Sequence, residues 1–179
     1  MRFVAVRFAC ASFVAAAVLC APMMARSENA APAAAVKAID TDCNAIQSAI
    51  QALHPVHLDL ISSKWTVLSD ADYTVAERTH ASITLVDAWK AGKNYAWIHA
   101  HTFDAKGDQR ATQLCFRQSN GTLERARQAG TVESLNAAGA EQAYYSADGT
   151  LIQKSAAFEE NDPALAKKVE ALPFYSSLP

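Results

Sequence analysis

Proline is missing between Pro55 and Pro163, and glycine is missing outside Gly92 to Gly149, although each residue occurs six times in the 179-residue chain. Proline would remove ladder donors from a sheet, whereas glycine supplies turns with positive φ. A long proline-free stretch broken by glycines therefore predicts an antiparallel meander. Excess positive charge is missing too: 16 Lys+Arg stand against 18 Asp+Glu, which excludes a broad nucleic-acid-binding surface. Beyond the extreme N-terminus no apolar run reaches the roughly 18 residues of a membrane span. A charged share of 19% and a hydrophobic share of 51% exclude a disordered chain. There is no repeat of solenoid length, no G-x-S-x-G, no H-E-x-x-H and no glycine-rich phosphate loop.

What is there begins with a leader. Arg2 and Arg7 precede an apolar stretch from Phe8 to Ala21, Pro22 breaks it, and Ala25 offers a small residue for cleavage before Arg26. Residues 1–25 read as a signal peptide, which predicts a periplasmic or secreted protein. A lipoprotein reading at Cys20 is disfavoured by the bulky Leu19. Removing the leader takes away Arg2, Arg7 and no acid, so the formal charge moves from −2 to −4. Cys10 and Cys20 leave with it. The remaining pair, Cys43 and Cys115, is most simply a disulfide in an oxidising compartment, and closing so long a loop contributes roughly 4 kcal/mol.

Residues 26–35 read as a mobile mature N-terminus, followed by a single domain over 36–179. Val36, Ile39, Cys43, Ile46, Ile50 and Leu53 form the apolar stripe of an amphipathic helix, with Asp40, Asn44 and Gln47 on the wet side. His54-Pro55 ends it. Lys64 to Leu68 suits a short strand, with a turn over 69–72. Residues 75–91 allow a helix capped by Thr74 and Glu77, or a strand through Ile83 to Val86; the strand is preferred. Further strands are expected at Tyr95–Phe103, Arg110–Gln118, Leu123–Gln128, Gln142–Ser146 and Leu151–Phe158. Asp104 to Gly107, Ser119 to Gly121 and Ser146 to Gly149 supply the turns. Asp162, Pro163 and the series Leu165, Val169, Leu172 predict a short C-terminal helix over 163–172. The expected fold is α+β: an N-terminal amphipathic helix packed on an antiparallel meander of five to seven strands, then the short helix.

The chemistry-bearing residues cluster on one strand. Tyr95, Trp97, His99, His101 and Phe103 alternate, so an unbroken strand puts them on one face, combining apolar area with polar tips. That face is the expected ligand site. The neighbouring strand adds either Thr112, Leu114 and Phe116, or Ala111, Gln113, Cys115 and Arg117, and the second register divides the faces more cleanly. His99 and His101 could also chelate zinc or copper, but a site needs a third ligand, from His57, His80 or Asp87, and no spacing says these converge. Packed or hydrogen-bonded histidines are commoner on such a face. Tyr144 and Tyr145 must face opposite sides, one core and one exposed or edge-packed. Acids at 70–77 and 159–162 read as caps and solvated faces. The function expected is a non-enzymatic binding module using one sheet face for a small apolar ligand, a glycan or a protein. A metal-binding protein or metalloenzyme is the alternative.

Overall fold

The computed structural model describes residues 30–79, 84–103 and 109–179; the leader expected over 1–25 and the turn expected over 104–107 lie outside them. A helix, α1 (Ala30–Ile50), is followed by β1 (Val56–Ile61), β2 (Lys64–Leu68), α2 (Asp70–Thr79), β3 (Thr84–Ala91), β4 (Asn94–Phe103), β5 (Gln109–Phe116), β6 (Leu123–Ala129), β7 (Glu141–Tyr145) and β8 (Leu151–Lys154). The strands form one antiparallel sheet in the order β2-β1-β3-β4-β5-β6-β7-β8. The meander is one strand longer than the upper expectation. The extra member, β1, turns into β2 through Ser62 and Ser63, both at positive φ, where no glycine advertises a turn.

The stretch around 75–91 holds a helix and then a strand, but the helix begins at Asp70 rather than after a Thr74/Glu77 cap, so the turn expected over 69–72 is instead its first turn. Ser69 caps α2, its Oγ accepting from the Asp72 amide at 3.2 Å and donating to the Asp72 carboxylate at 2.7 Å. α2 ends at Thr79, and β3 begins at Thr84. α1 starts at Ala30, further toward the N-terminus than the apolar stripe. Its alanines favour helix, and Pro32 falls in the first turn, where no amide donor is needed.

The register of β4 on β5 is the second of the two alternatives: Trp97 lies opposite Cys115, His99 opposite Gln113 and His101 opposite Ala111. Ile98, Leu114 and Phe116 point the other way, into a core with Leu58, Val86, Ala126 and Tyr145. The chain after β8 covers that core with Phe158, Ala164, Val169, Leu172 and Phe174. The expected helix over 163–172 does not form. The Leu123 amide donates to the Lys167 carbonyl and the Val169 amide to the Gly121 carbonyl, both at 2.9 Å. The backbone at 167–169 is thus held extended against β6, and only 3-10 turns remain at Val169–Ala171 and Tyr175–Ser177.

α1 covers the opposite face. Ile39, Cys43, Ile46 and Ile50 pack on Ala96, Trp97, Cys115 and Tyr144, and Cys43 is joined to Cys115 with a Cα separation of 5.9 Å. Each buried isoleucine contributes about 1.5–3 kcal/mol. The wet side of α1 is partly engaged as well: buried Arg125 donates to Asp40 at 2.7 Å and to Asn44 at 3.3 Å. Tyr144 and Tyr145 face opposite sides as expected, but with both faces covered both are buried, which corrects the expectation that one is exposed or edge-packed.

Candidate functional site

One face of the sheet carries a polar row that crosses six strands in register: His57, Asp87, His99, Gln113, Arg127 and Gln142. Directly opposed residues on antiparallel strands stand about 5 Å apart at Cβ, so neighbours along the row are within reach of each other. His57 Nδ1 meets Asp87 Oδ1 at 2.6 Å, and the Tyr73 hydroxyl donates to Asp87 Oδ2 at 2.9 Å. The Tyr73 ring stacks on His57 at 4.0 Å, which docks α2 on β1. His57 Nε2 lies 3.6 Å from exposed Asp70.

The next pair is organised differently. Trp97 Nε1 donates to His99 Nε2 at 2.9 Å, and the Gln113 amide nitrogen lies 3.1 Å from the same atom. An indole N–H only donates, so His99 Nε2 is an acceptor and the ring carries its proton on Nδ1. Burial agrees, pulling the His99 pKa down to about 4. Burial also lowers the His101 pKa. His57 goes the opposite way, raised chiefly by its bond to Asp87. The row therefore combines one imidazole stabilised as a cation, His57, with one held neutral, His99, while His101 beside the row is also held neutral. Among the described residues, His101 Nε2, Gln113 Oε1 and Asp59 Oδ1 are buried without a hydrogen-bond partner.

The structure separates the residues expected to form a ligand site. A register shift between β3 and β4 at Trp89/Lys90 breaks the alternation, and Tyr95 packs in the core opposite Trp97. This overturns the expectation that Tyr95 shares the histidine face. Trp97, only 1% exposed, lies under α1. His101 is buried beside the small cluster of Tyr73, Leu85 and Phe103, and Phe103 belongs to that cluster. His99 lines a shallow cleft of about 280 Å³ with Gln47, Gln51, Leu53, Trp89 and the edge of Trp97, whereas Tyr95 borders different clefts beside Lys90 and Pro179.

Strand register sets His57 and Asp87 in one cross-strand row with His99, which spacing along the chain does not reveal. His80 lies outside the described residues. Among those residues, the one group of three potential metal ligands with atoms within 4.8 Å of one another is Cys43, Cys115 and Glu124, not the histidines. For His99 to bind zinc or copper through Nε2, it would have to give up its bonds to Trp97 and Gln113.

The other face holds a feature that periodicity did not signal. Leu60, Trp65 and Val86 of the sheet and Ala164, Pro173 and Phe174 of the C-terminal segment line a partly open apolar cavity of about 360 Å³. Thr84, Thr102 and Pro163 complete its lining, and none of its lining residues is charged. Trp65 meets Phe174 edge-on at 5.1 Å, giving the cavity an aromatic wall. Asp162 anchors the covering segment by accepting from Thr112 at 2.5 Å and Gln128 at 3.1 Å. No known family model, curated protein or solved structure matches the chain.

Proposed function

We propose that this protein is an exported, non-enzymatic binding module that holds a small uncharged apolar molecule between its sheet and its C-terminal segment. The observation that carries this reading is the apolar cavity of about 360 Å³ walled by Trp65 and Phe174. Its volume falls within the roughly 300–1,000 Å³ of small-ligand pockets, and its lining is mostly carbon with two threonines, a composition that suits a ligand site. No acid, histidine or cysteine lines it, so its two threonine hydroxyls have no base within the lining to activate them. A charged ligand would lose its hydration there without compensation. An export route is supported by the leader read from residues 1–25 and by the Cys43–Cys115 bridge. Relative to the expectation from sequence, the ligand moves from the histidine face to the face behind it.

The test is titration of the purified protein with a small naphthalene probe, followed by the probe's own emission, for the natural sequence and for Ala164→Leu. The added side chain projects into the cavity space, so the variant is expected to lose probe affinity by about tenfold or more while keeping its near-ultraviolet circular dichroism. Failure of the natural sequence to bind, or equal binding by both proteins, overturns the proposal. Loss of binding on Trp89→Ala instead would move the site to the cleft beside His99.

A further inference from the structure

Glu124 sits where strict alternation would not put it. Cys115 pairs with Arg125, but Phe116 pairs with Leu123, so Glu124 is the extra residue of a bulge in β6. Bulges re-aim side chains, and this one brings the carboxylate to the sulfur side of the sheet. A carboxylate oxygen of Glu124 and the two sulfurs of Cys43 and Cys115 lie within 4.8 Å of one another, and all three residues are buried. We infer that the reduced chain binds one zinc ion through Cys43, Cys115 and Glu124, a state exclusive of the disulfide because both use the same sulfurs.

The donor set fits the ion. Zinc is a borderline-soft ion, and the two soft thiolates of this set select it over calcium or magnesium, while the harder carboxylate is a ligand zinc also accepts. Binding balances by proton release: each thiol gives up its proton, two sulfur–zinc bonds form, and no electron is transferred. Three negative ligands and a divalent cation leave one negative charge, and Arg117, ion-paired with Glu124, neutralises it. A fourth ligand is available without rearranging the core. Glu124 lines a cleft of about 400 Å³, through which a water molecule can complete a tetrahedral shell. In the oxidised chain the same carboxylate has only its cationic partner, and burial raises its pKa.

The full mature chain, reduced with a phosphine, is titrated with zinc and separately with cobalt(II) as a spectroscopic probe. One equivalent is expected, with a thiolate-to-cobalt charge-transfer band and affinity that rises with pH as the thiols deprotonate. Glu124→Gln is expected to weaken zinc by more than the roughly 100-fold typical of losing an outer-shell partner. Glu124→Asp, which keeps the charge, should fall between the two. If the reduced chain unfolds, zinc should restore its near-ultraviolet circular dichroism. No uptake, no restoration, or equal affinity in the natural and Glu124→Gln chains overturns the inference, the last because it marks two loose thiols rather than a built site.

Discussion

His99 is expected to make the fold sensitive to acid, and the size of the effect follows from its surroundings. The folded chain holds the ring neutral because Trp97 Nε1 donates to its Nε2 lone pair and because burial penalises the cation. In the unfolded chain the ring titrates near 6.5, whereas in the folded chain it titrates at about 4. Above 6.5 neither state binds a proton there, and the group makes no difference to stability. Below it the unfolded state gains a proton that the folded state refuses, so stability falls by about 1.4 kcal/mol per pH unit down to about pH 4, some 3 kcal/mol in all. His101, also lowered, pulls the same way. His57 does not offset the loss, because its folded pKa is raised: its contribution is complete below 6.5 and disappears only as pH rises through the folded value. The assay is urea unfolding of the oxidised protein at several pH values between neutral and about 4, against His99→Gln, whose amide oxygen still accepts from the indole. The natural sequence should lose about 3 kcal/mol more than the variant over that range. Parallel curves would refute both the neutral tautomer and the burial argument.

Other outcomes follow from the same packing. Trp97→Ala should cost about 3–5 kcal/mol in urea unfolding, as for a core aromatic, because only 1% of the residue is exposed; a loss under about 1 kcal/mol would mean that this face is open after all. Proton resonances of the His57 ring should titrate above 6.5 in the natural sequence and move back toward 6.5 in Asp87→Asn, since Asp87 is the main cause of the shift; an unmoved midpoint would reject the pair. Non-reducing mass measurement of the mature chain should show two hydrogens missing, and reduction should lower stability by roughly 4 kcal/mol; two titratable thiols in freshly exported protein would contradict the bridge. Gly121→Ala should cost about 1–3 kcal/mol in urea unfolding, because φ there is +65° and the added methyl would come within 2.9 Å of Val169; an unchanged unfolding midpoint would show that the turn relaxes freely.

Much of the architecture is local and was therefore legible without coordinates. The apolar stripe from Val36 to Ile50 depends on spacing along a single segment. The strands at 95–103, 110–118 and 142–146 depend on alternation and on turns such as Ser146 to Gly149, where Gly149 takes φ +82°. The pairing of Cys43 with Cys115 follows from counting once the leader is set aside. Other features depend on what stands opposite a residue, and one-dimensional patterns do not encode that. β1 is joined to β2 by two serines at positive φ, so no glycine marks it. Tyr95 changes face because the register slips by one residue beside it. The C-terminal segment reads as a helix on propensity, yet its amides and carbonyls find better partners at Gly121 and Leu123. His57, Asp87, His99 and Gln113 lie far apart in the chain and form one row only through three successive strand registers. The apolar cavity arises between a sheet face and a segment many residues away. Helix and strand type is a property of neighbours in sequence, whereas a site requires neighbours in space, and here cross-strand register and the covering of both sheet faces decided it.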